Sequence, residues 1–271
     1  MGRRYDTVSF LSDFGLDDEF VGVVRSVIRS LAPEVAVVDI THGIARHDVR
    51  AGSLALVRSV QYLAPGLVLA VVDPGVGTDR RGVAVTAGDD DEAVFVGPDN
   101  GLLAAAVAMV GGANRAVELT NAGYQLPAPG PTFAGRDVFA PAAAHLCNGV
   151  DLAELGEAVD PITLRPGIVP LSRREDERLV AEVLWIDRFG NAQLNVDPDE
   201  MVELGDRVSL RWSADQVRTA RRAPTYGDLK PGEIGLVVDS YGLVSVALDR
   251  RSAAEELRLR PGDAMTLEAA K

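Results

Sequence analysis

The stretch "YDTVSFLSDFGLDDEFVGVVRSVIRSLAPEVAVVDITH", residues 5–42, decides the fold. It opens on a short apolar run and passes through an acidic turn. Phe20, Val24, Ile28 and Leu31 then recur at helical spacing, and a second apolar run, "VAVVDI", follows. The pattern reads strand, helix, strand. Further along, "DVRAGSLALVRSVQYL" predicts a second helix and "LVLAVVD" a third strand. More strands are predicted at "VAVTA", "AVFVG" and "RAVEL", with a helix from about Gly101 to Met109 between the last two. Continuous apolar strands separated by helices imply a mainly parallel sheet covered on both faces.

Residues 120–132, "TNAGYQLPAPGPT", are rich in Pro and Gly and read as a surface loop leading to a helix that starts near Arg136. After "LRPGIVPLSRRED" the pattern changes. Here "LVAEVLWID", "AQLNV", "RVSLRW", "IGLVVDS" and "LVSVAL" follow one another with little helix between them, which predicts a compact antiparallel β domain. A chain of 271 residues exceeds the usual single-domain size, so the division expected is an α/β domain over 1–172 and a smaller all-β domain over 173–271.

The formal net charge of −13 sets a repulsive field against nucleic acid or an anionic membrane, so neither is expected as a partner. Cys147 is the single cysteine; it can form no intramolecular disulfide and reads as a buried helix residue in a reducing, cytoplasmic protein. The N-terminus carries Arg3 and Arg4 and runs straight into a strand, without an apolar segment of signal-peptide or membrane-spanning length.

In open α/β sheets ligands bind beyond the carboxyl ends of the strands. Strand one ends in Ser12-Asp13, strand two in Asp39-Ile40-Thr41-His42, strand three in Asp73-Pro74-Gly75-Val76-Gly77, and "VFVG" runs into Pro98-Asp99-Asn100-Gly101. Asp, Asn, Gly and Pro also end strands simply because they make turns. Four such ends in succession, with Asp17 and Asp18 following Asp13, point to an acidic site facing a polar or cationic ligand. No Gly-x-Gly-x-x-Gly and no phosphate loop is present, so neither a dinucleotide nor a nucleoside triphosphate is expected. His42, His47 and His145 are too scattered for a zinc set. Asp13, Asp17, Asp18 and Glu19 lie close enough in sequence to hold a hard cation, as in a calcium-dependent nucleoside hydrolase, which is a rival reading.

Taken together, "LSDFGLDDEFVG", "VVDITH", "DVRAG", "VVDPGVGTDRR", "GPDNGLL", "TFAGRDVFAPAAAHL" and "IDRFGN" resemble the S-adenosylmethionine hydroxide adenosyltransferase family, the hydrolase relatives of fluorinase and chlorinase. The resemblance runs in order from about Tyr5 to the last strands. It implies an N-terminal α/β domain, a C-terminal β-barrel and a homotrimer whose sites lie between the N-domain of one subunit and the C-domain of its neighbour. It further implies attack at the ribose C5′ of S-adenosylmethionine with no metal or cofactor. By this resemblance Asp13 binds the ribose hydroxyls and Asp18 the methionine ammonium. Asp187, Phe189 and Asn191 hold the methionine or stack near the nucleoside, Ser240 and Tyr241 meet its carboxylate, and the backbone at Arg250 reads the adenine. His47 packs as a wall near the ribose, Phe133 walls the pocket, and His42 braces its loop through backbone hydrogen bonds.

The nucleophile turns on Asp73, where the halogenases carry a tyrosine. A carboxylate repels a halide but accepts a proton from water, so Asp73 argues for hydrolysis. Arg80 matches the family arginine that holds Asp73 ionised and positions incipient hydroxide, with Arg81 as the alternative register. In "TFAGRD" the third residue of the hydrolase motif, normally His, is Ala134, while Gly135 keeps the hydrolase residue. The site thus resembles a hydrolase site with one polar partner deleted, either by an introduced substitution that slows turnover or as a natural variant in which Asp73 and Arg80 suffice. A chlorinase-like halogenase, and a weakly catalytic protein that binds S-adenosylmethionine or adenosine, are the alternatives.

Overall fold

The computed structural model of the chain describes residues 4–213 and 216–270. The chain divides into two compact units, the first ending at Ile168 and the second beginning at Val169.

In the first unit, β1 (Thr7–Ser12), α1 (Phe20–Leu31), β2 (Ala36–Thr41), α2 (Val49–Val60) and β3 (Leu67–Val71) follow one another as the sequence predicts. Then come β4 (Gly82–Ala87), β5 (Ala93–Pro98), α3 (Ala104–Met109), β6 (Ala113–Glu118), α4 (Ala140–Cys147) and a short β7 (Glu157–Val159). The seven strands lie in the order β2-β1-β3-β5-β4-β6-β7. The pairs β2–β1, β1–β3 and β3–β5 are parallel, whereas β4 runs antiparallel to both β5 and β6. With β7 antiparallel to β6 as well, five of the seven strands point the same way, and the sheet is mostly parallel. β4 departs because it follows β3 through a short acidic and basic turn, too brief for the helical crossover that a parallel return requires.

Both faces are covered. Leu67, Leu69 and Val71 of β3 point into the core beneath α1 and α4, and Val68, Ala70 and Val72 into the core beneath α2 and α3. This alternation is the period-two geometry of a central strand buried on both sides. α1 buries Val21, Val24 and Ile28, while Phe20, which the helical spacing assigned to the buried stripe, is 38% exposed. Phe20 begins the helix and turns away from the core toward the cavity described below.

In the second unit, β9 (Arg178–Ile186), β10 (Ala192–Leu194), β11 (Arg207–Trp212), β13 (Ile234–Val238) and β14 (Val244–Leu248) answer to the predicted runs. Three strands carry little apolar signal: β8 (Arg173–Glu175), β12 (Gln216–Arg222) and β15 (Ala264–Ala269); α5 (Ala253–Leu257) lies between β14 and β15. The sheet order β10-β14-β13-β12-β11-β15-β9 is closed by pairing of β10 with the second half of β9, giving a seven-stranded barrel with β8 added outside it. Closure removes the exposed edges that such an isolated sheet would otherwise present. Leu179, Ala181, Val183, Val208, Leu210, Leu236, Val246 and Leu267 fill the interior. Among the described residues, no helix is long and apolar enough to cross a membrane.

Candidate active site

The order β2-β1-β3 makes the carboxyl ends of β1 and β3 a topological switch point, because the chain leaves β1 toward β2 and then crosses over to β3 on the other side. The two connecting helices pack on opposite faces of the sheet, so a crevice opens between those strand ends. Asp13 follows β1 and Asp73 follows β3, and both line a cavity of about 260 Å³. Asp18, His47, Phe133, Ala134 and Gly135 line the same cavity. So do Phe14, Phe20, Arg46, Val71, Val76 and Thr132, which the sequence reading did not single out as site residues. Arg46 and Thr132 carry no pattern that could have marked them, whereas Phe14 and Phe20 flank the quoted acidic turn.

Asp73 lines the cavity as one half of an ion pair whose other half is Arg80. Arg80 donates from Nε to Asp73 Oδ1 at 3.0 Å and from Nη2 to Oδ2 at 2.5 Å, a bidentate arrangement that fixes both groups in one plane. Side-chain exposures are 6% for Asp73 and 13% for Arg80, so the pair is largely shielded from solvent. The guanidinium also lies 5.4 Å from the centre of the Phe139 ring. Burial pushes the Asp73 carboxyl above its ordinary value; Arg80 and the Gly75 backbone pull it back, and the charge of Asp13 adds a small push upward.

Arg81 serves another purpose. Its Nε and Nη2 donate to Asp99 Oδ2 at 3.0 and 2.6 Å, and Nη2 reaches the Thr163 carbonyl at 2.7 Å. Asp99 Oδ1 accepts the Arg165 N–H at 2.7 Å, so this pair ties the 160s segment to the end of β5. Arg80 therefore faces Asp73 and Arg81 faces away. Arg81→Ala strands the 5% exposed Asp99 carboxylate, a change that destabilises by about 3 kcal/mol or more. A fall in melting temperature with kcat per folded molecule unchanged is expected, whereas Arg80→Ala, which strands the 6% exposed Asp73 carboxylate in the same way, is expected to lower kcat as well as the melting temperature.

Asp13 is held from the loop after β2. The His47 N–H donates to its Oδ2 at 2.8 Å, so among the described residues the loop holds the carboxylate by one oxygen. His47 adopts φ 66°, a left-handed conformation unfavourable for a side-chain-bearing residue by about 1 kcal/mol, and this turn aims its N–H at Asp13. Asp48 then caps α2 by accepting from the Ala51 N–H at 2.8 Å.

Phe14, Phe20 and Phe133 form an aromatic wall, with centroid separations of 5.8 Å for Phe14–Phe133 and 5.0 Å for Phe20–Phe133. Gly135 sits against it: an added Cβ would lie 3.1 Å from Phe14 and 3.2 Å from Phe133. Gly135–Phe139 form one π-helical turn before α4, a widened geometry frequent at functional sites. The helix predicted near Arg136 thus starts with this turn. Half-buried Ala134 precedes it and presents only a methyl group toward the cavity.

His42 is 2% exposed and places Nδ1 2.7 Å from Ser12 Oγ, while its carbonyl accepts the Gly15 N–H at 2.9 Å. His145 packs edge-on against Tyr124 at 4.9 Å, remote in role from the cavity. Burial drives the Cys147 thiol up to about 12, so it is an inert core residue. Among the described residues, no three His, Cys, Asp or Glu side chains gather as a metal-binding group, so the acidic turn around Asp13 does not converge on a cation.

In the second unit, Asp187 shapes its own turn. Oδ1 accepts the N–H groups of Phe189 and Asn191 at 2.9 and 2.8 Å, and Oδ2 accepts Asn191 Nδ2 at 2.8 Å. Phe189 is thereby held out, 79% exposed. Asp239, which the sequence reading did not single out, braces the Ser240–Tyr241 turn: Oδ1 accepts the Tyr241 N–H at 2.8 Å and Oδ2 accepts from Gln193 and Ser245. Arg250 has φ 53° and a side chain that is 94% exposed.

Two family models match the chain. Residues 8–156 match the SAM hydroxide adenosyltransferase N-terminal domain, and residues 181–266 its C-terminal domain. A protein of Salinispora tropica named (R)-S-adenosyl-L-methionine hydrolase is 44% identical over 262 residues, covering 97% of each chain. A fluorinase of Nocardia brasiliensis is 29% identical over 295 residues, covering 96% of each. The crystal structure of an uncharacterized conserved protein from Thermotoga maritima superposes with a TM-score of 0.88 at 32% identity, covering 96% of this chain and 99% of that one.

Proposed function

Because the chain belongs to the SAM hydroxide adenosyltransferase family, we propose that it hydrolyses S-adenosyl-L-methionine to adenosine and L-methionine. Water or hydroxide forms the bond to the ribose C5′, the C5′–sulfur bond breaks, methionine leaves as a neutral thioether, and one proton is released. The sulfonium is already a good leaving group, so the protein must orient the nucleophile in line, shield it and take its proton. The observation that carries this reading is the shielded Asp73 carboxylate, held bidentately by Arg80, lining the cavity beside Asp13.

In this assignment Asp73 accepts the proton and Arg80 keeps its carboxylate ionised and oriented. Asp13 receives the ribose hydroxyls through Oδ1, Asp18 takes the ammonium group, and His47 and Phe133 wall the nucleoside. Ala134 leaves the third polar position vacant and Gly135 keeps the aromatic wall close. Asp187, Phe189, Asn191, Ser240, Tyr241 and the backbone at Arg250 serve the site of a neighbouring subunit in a homotrimer. The exposed Phe189 and the turn-bracing roles of Asp187 and Asp239 support this, since they present a rigid surface to a partner. Size determination by light scattering tests the trimer. No metal or cofactor takes part, and the working compartment is the cytoplasm.

The fluorinase relatives raise halide transfer as a second reading, but a buried carboxylate at Asp73 opposes a halide in the same cavity. The test is incubation of chelator-treated protein with both sulfonium epimers of S-adenosylmethionine, with and without chloride, followed by chromatography. Equal amounts of adenosine and methionine, unchanged by chelator or chloride, are expected, with preference for the (R) epimer that names the Salinispora tropica relative. A chlorinated nucleoside would instead identify a halogenase. Tight binding without product would make this a binding protein.

A further inference from the structure

We propose that His42 is a positioning residue for Asp13, acting as the centre of a latch that fastens the loop after β1 to the loop after β2. This rests on the hydrolase reading and adds a residue that touches no substrate. Three hydrogen bonds join the two loops: Ser12 Oγ to His42 Nδ1 at 2.7 Å, the Gly15 N–H to the His42 carbonyl at 2.9 Å, and the His47 N–H to Asp13 Oδ2 at 2.8 Å. They bracket Asp13 on both sides and hold the carboxylate itself.

The ring's surroundings fix which nitrogen carries the proton. Nε2 lies 3.1 Å from Asp39 Oδ1, close but not aligned as a full hydrogen bond, and a carboxylate there favours N–H over a lone pair. Nδ1 is then the acceptor, so the Ser12 hydroxyl donates to it and keeps a lone pair for the Phe14 N–H, 3.3 Å away. Asp39 is itself held by the Arg25 guanidinium. Burial, helped by Arg25, drives the imidazole down to about 4, so this neutral tautomer persists across the working pH range. Phe10 packs edge-on at 4.6 Å and prevents the ring from turning. The ring thus transmits the position of β2 to the backbone of residues 12–15, which carries both Asp13 and the Phe14 wall of the cavity.

His42→Phe keeps a buried ring and removes the acceptor, and His42→Asn restores an acceptor near the place of Nδ1. Ser12→Ala removes the other half of the contact with a smaller change in volume, for use if the Phe variant does not fold. For His42→Phe or Ser12→Ala, the KM for S-adenosylmethionine is expected to rise about tenfold with kcat within about threefold, because loss of a contact made equally in ground and transition states appears in KM. His42→Asn should recover most of the KM. Amide hydrogen exchange at Gly15 and His47 in the ligand-free protein should quicken about tenfold in the disrupted variants and recover in His42→Asn. A lower melting temperature with KM and exchange unchanged would overturn the proposal by reducing His42 to packing. If the unaltered protein turns over no S-adenosylmethionine, the hydrolase reading fails, while adenosine affinity and the exchange rates still decide whether the latch exists.

Discussion

Asp73→Asn is expected to lower kcat by roughly 10²- to 10⁴-fold, the range found when a positioned general base is removed. The substitution preserves shape and leaves an amide oxygen for Arg80, so the loss would reflect proton acceptance and not collapse of the cavity. The pH profile separates these further. Burial raises the Asp73 carboxyl above its ordinary range, so kcat/KM should rise with pH along a limb displaced upward from about 4, and that limb should vanish in the variant. The sign for stability is opposite to that of a salt-bridged surface carboxylate. A raised folded-state pKa means that protonation stabilises the fold: the contribution is present below the unfolded-state value and lost as pH rises through the folded one. The ionised Asp73 is therefore held against the preference of its surroundings, and Asp73→Asn should lower kcat without lowering the melting temperature. A variant with unchanged kcat would make Asp73 a turn-former before Pro74 and sink the hydrolytic assignment.

How the fold could be read from the chain depended on burial. The strands β1, β3 and β5 are buried on both faces and announce themselves as apolar runs, as does the paired helical stripe of α1. β12 begins with four exposed residues and holds three arginines, so its sequence carries hydrogen-bonding position but no apolar pattern. β8, Arg-Arg-Glu, is exposed throughout and equally silent. The antiparallel turn of β4 was hidden for another reason: strand direction depends on the length of the connection, not on the strand's own residues. Asp13 and Asp73 could be placed in one site because each ends a strand and adjacent ends converge. Arg46 and Thr132 reach the same cavity from loops, where sequence position says little about direction. The choice between Arg80 and Arg81 needed the structure, because neighbouring side chains at the start of a strand point to opposite sides and only the fold shows which meets Asp73.

Ala134→His is expected to raise kcat by about 100-fold with little change in KM. Residue 134 lines the cavity that holds Asp73, and it immediately precedes the π-helical turn, so a longer side chain there starts from a fixed backbone. An imidazole would share management of the water proton with Asp73, and a general acid or base that transfers the proton contributes about 10² or more in rate. It would also add a limb to the pH profile near the ordinary histidine value of about 6.5, absent from the unaltered chain. A gain of only a few-fold with no new limb would mean that the imidazole orients water without taking its proton. Equal rates would show that Asp73 and Arg80 suffice, and that this chain has shed the third partner without loss. Either result bears on the Asp73 measurement, because two groups acting on one proton are not additive. The double variant Asp73→Asn with Ala134→His should recover little of the lost rate if Asp73 is the acceptor, and a large part of it if the imidazole can replace the carboxylate.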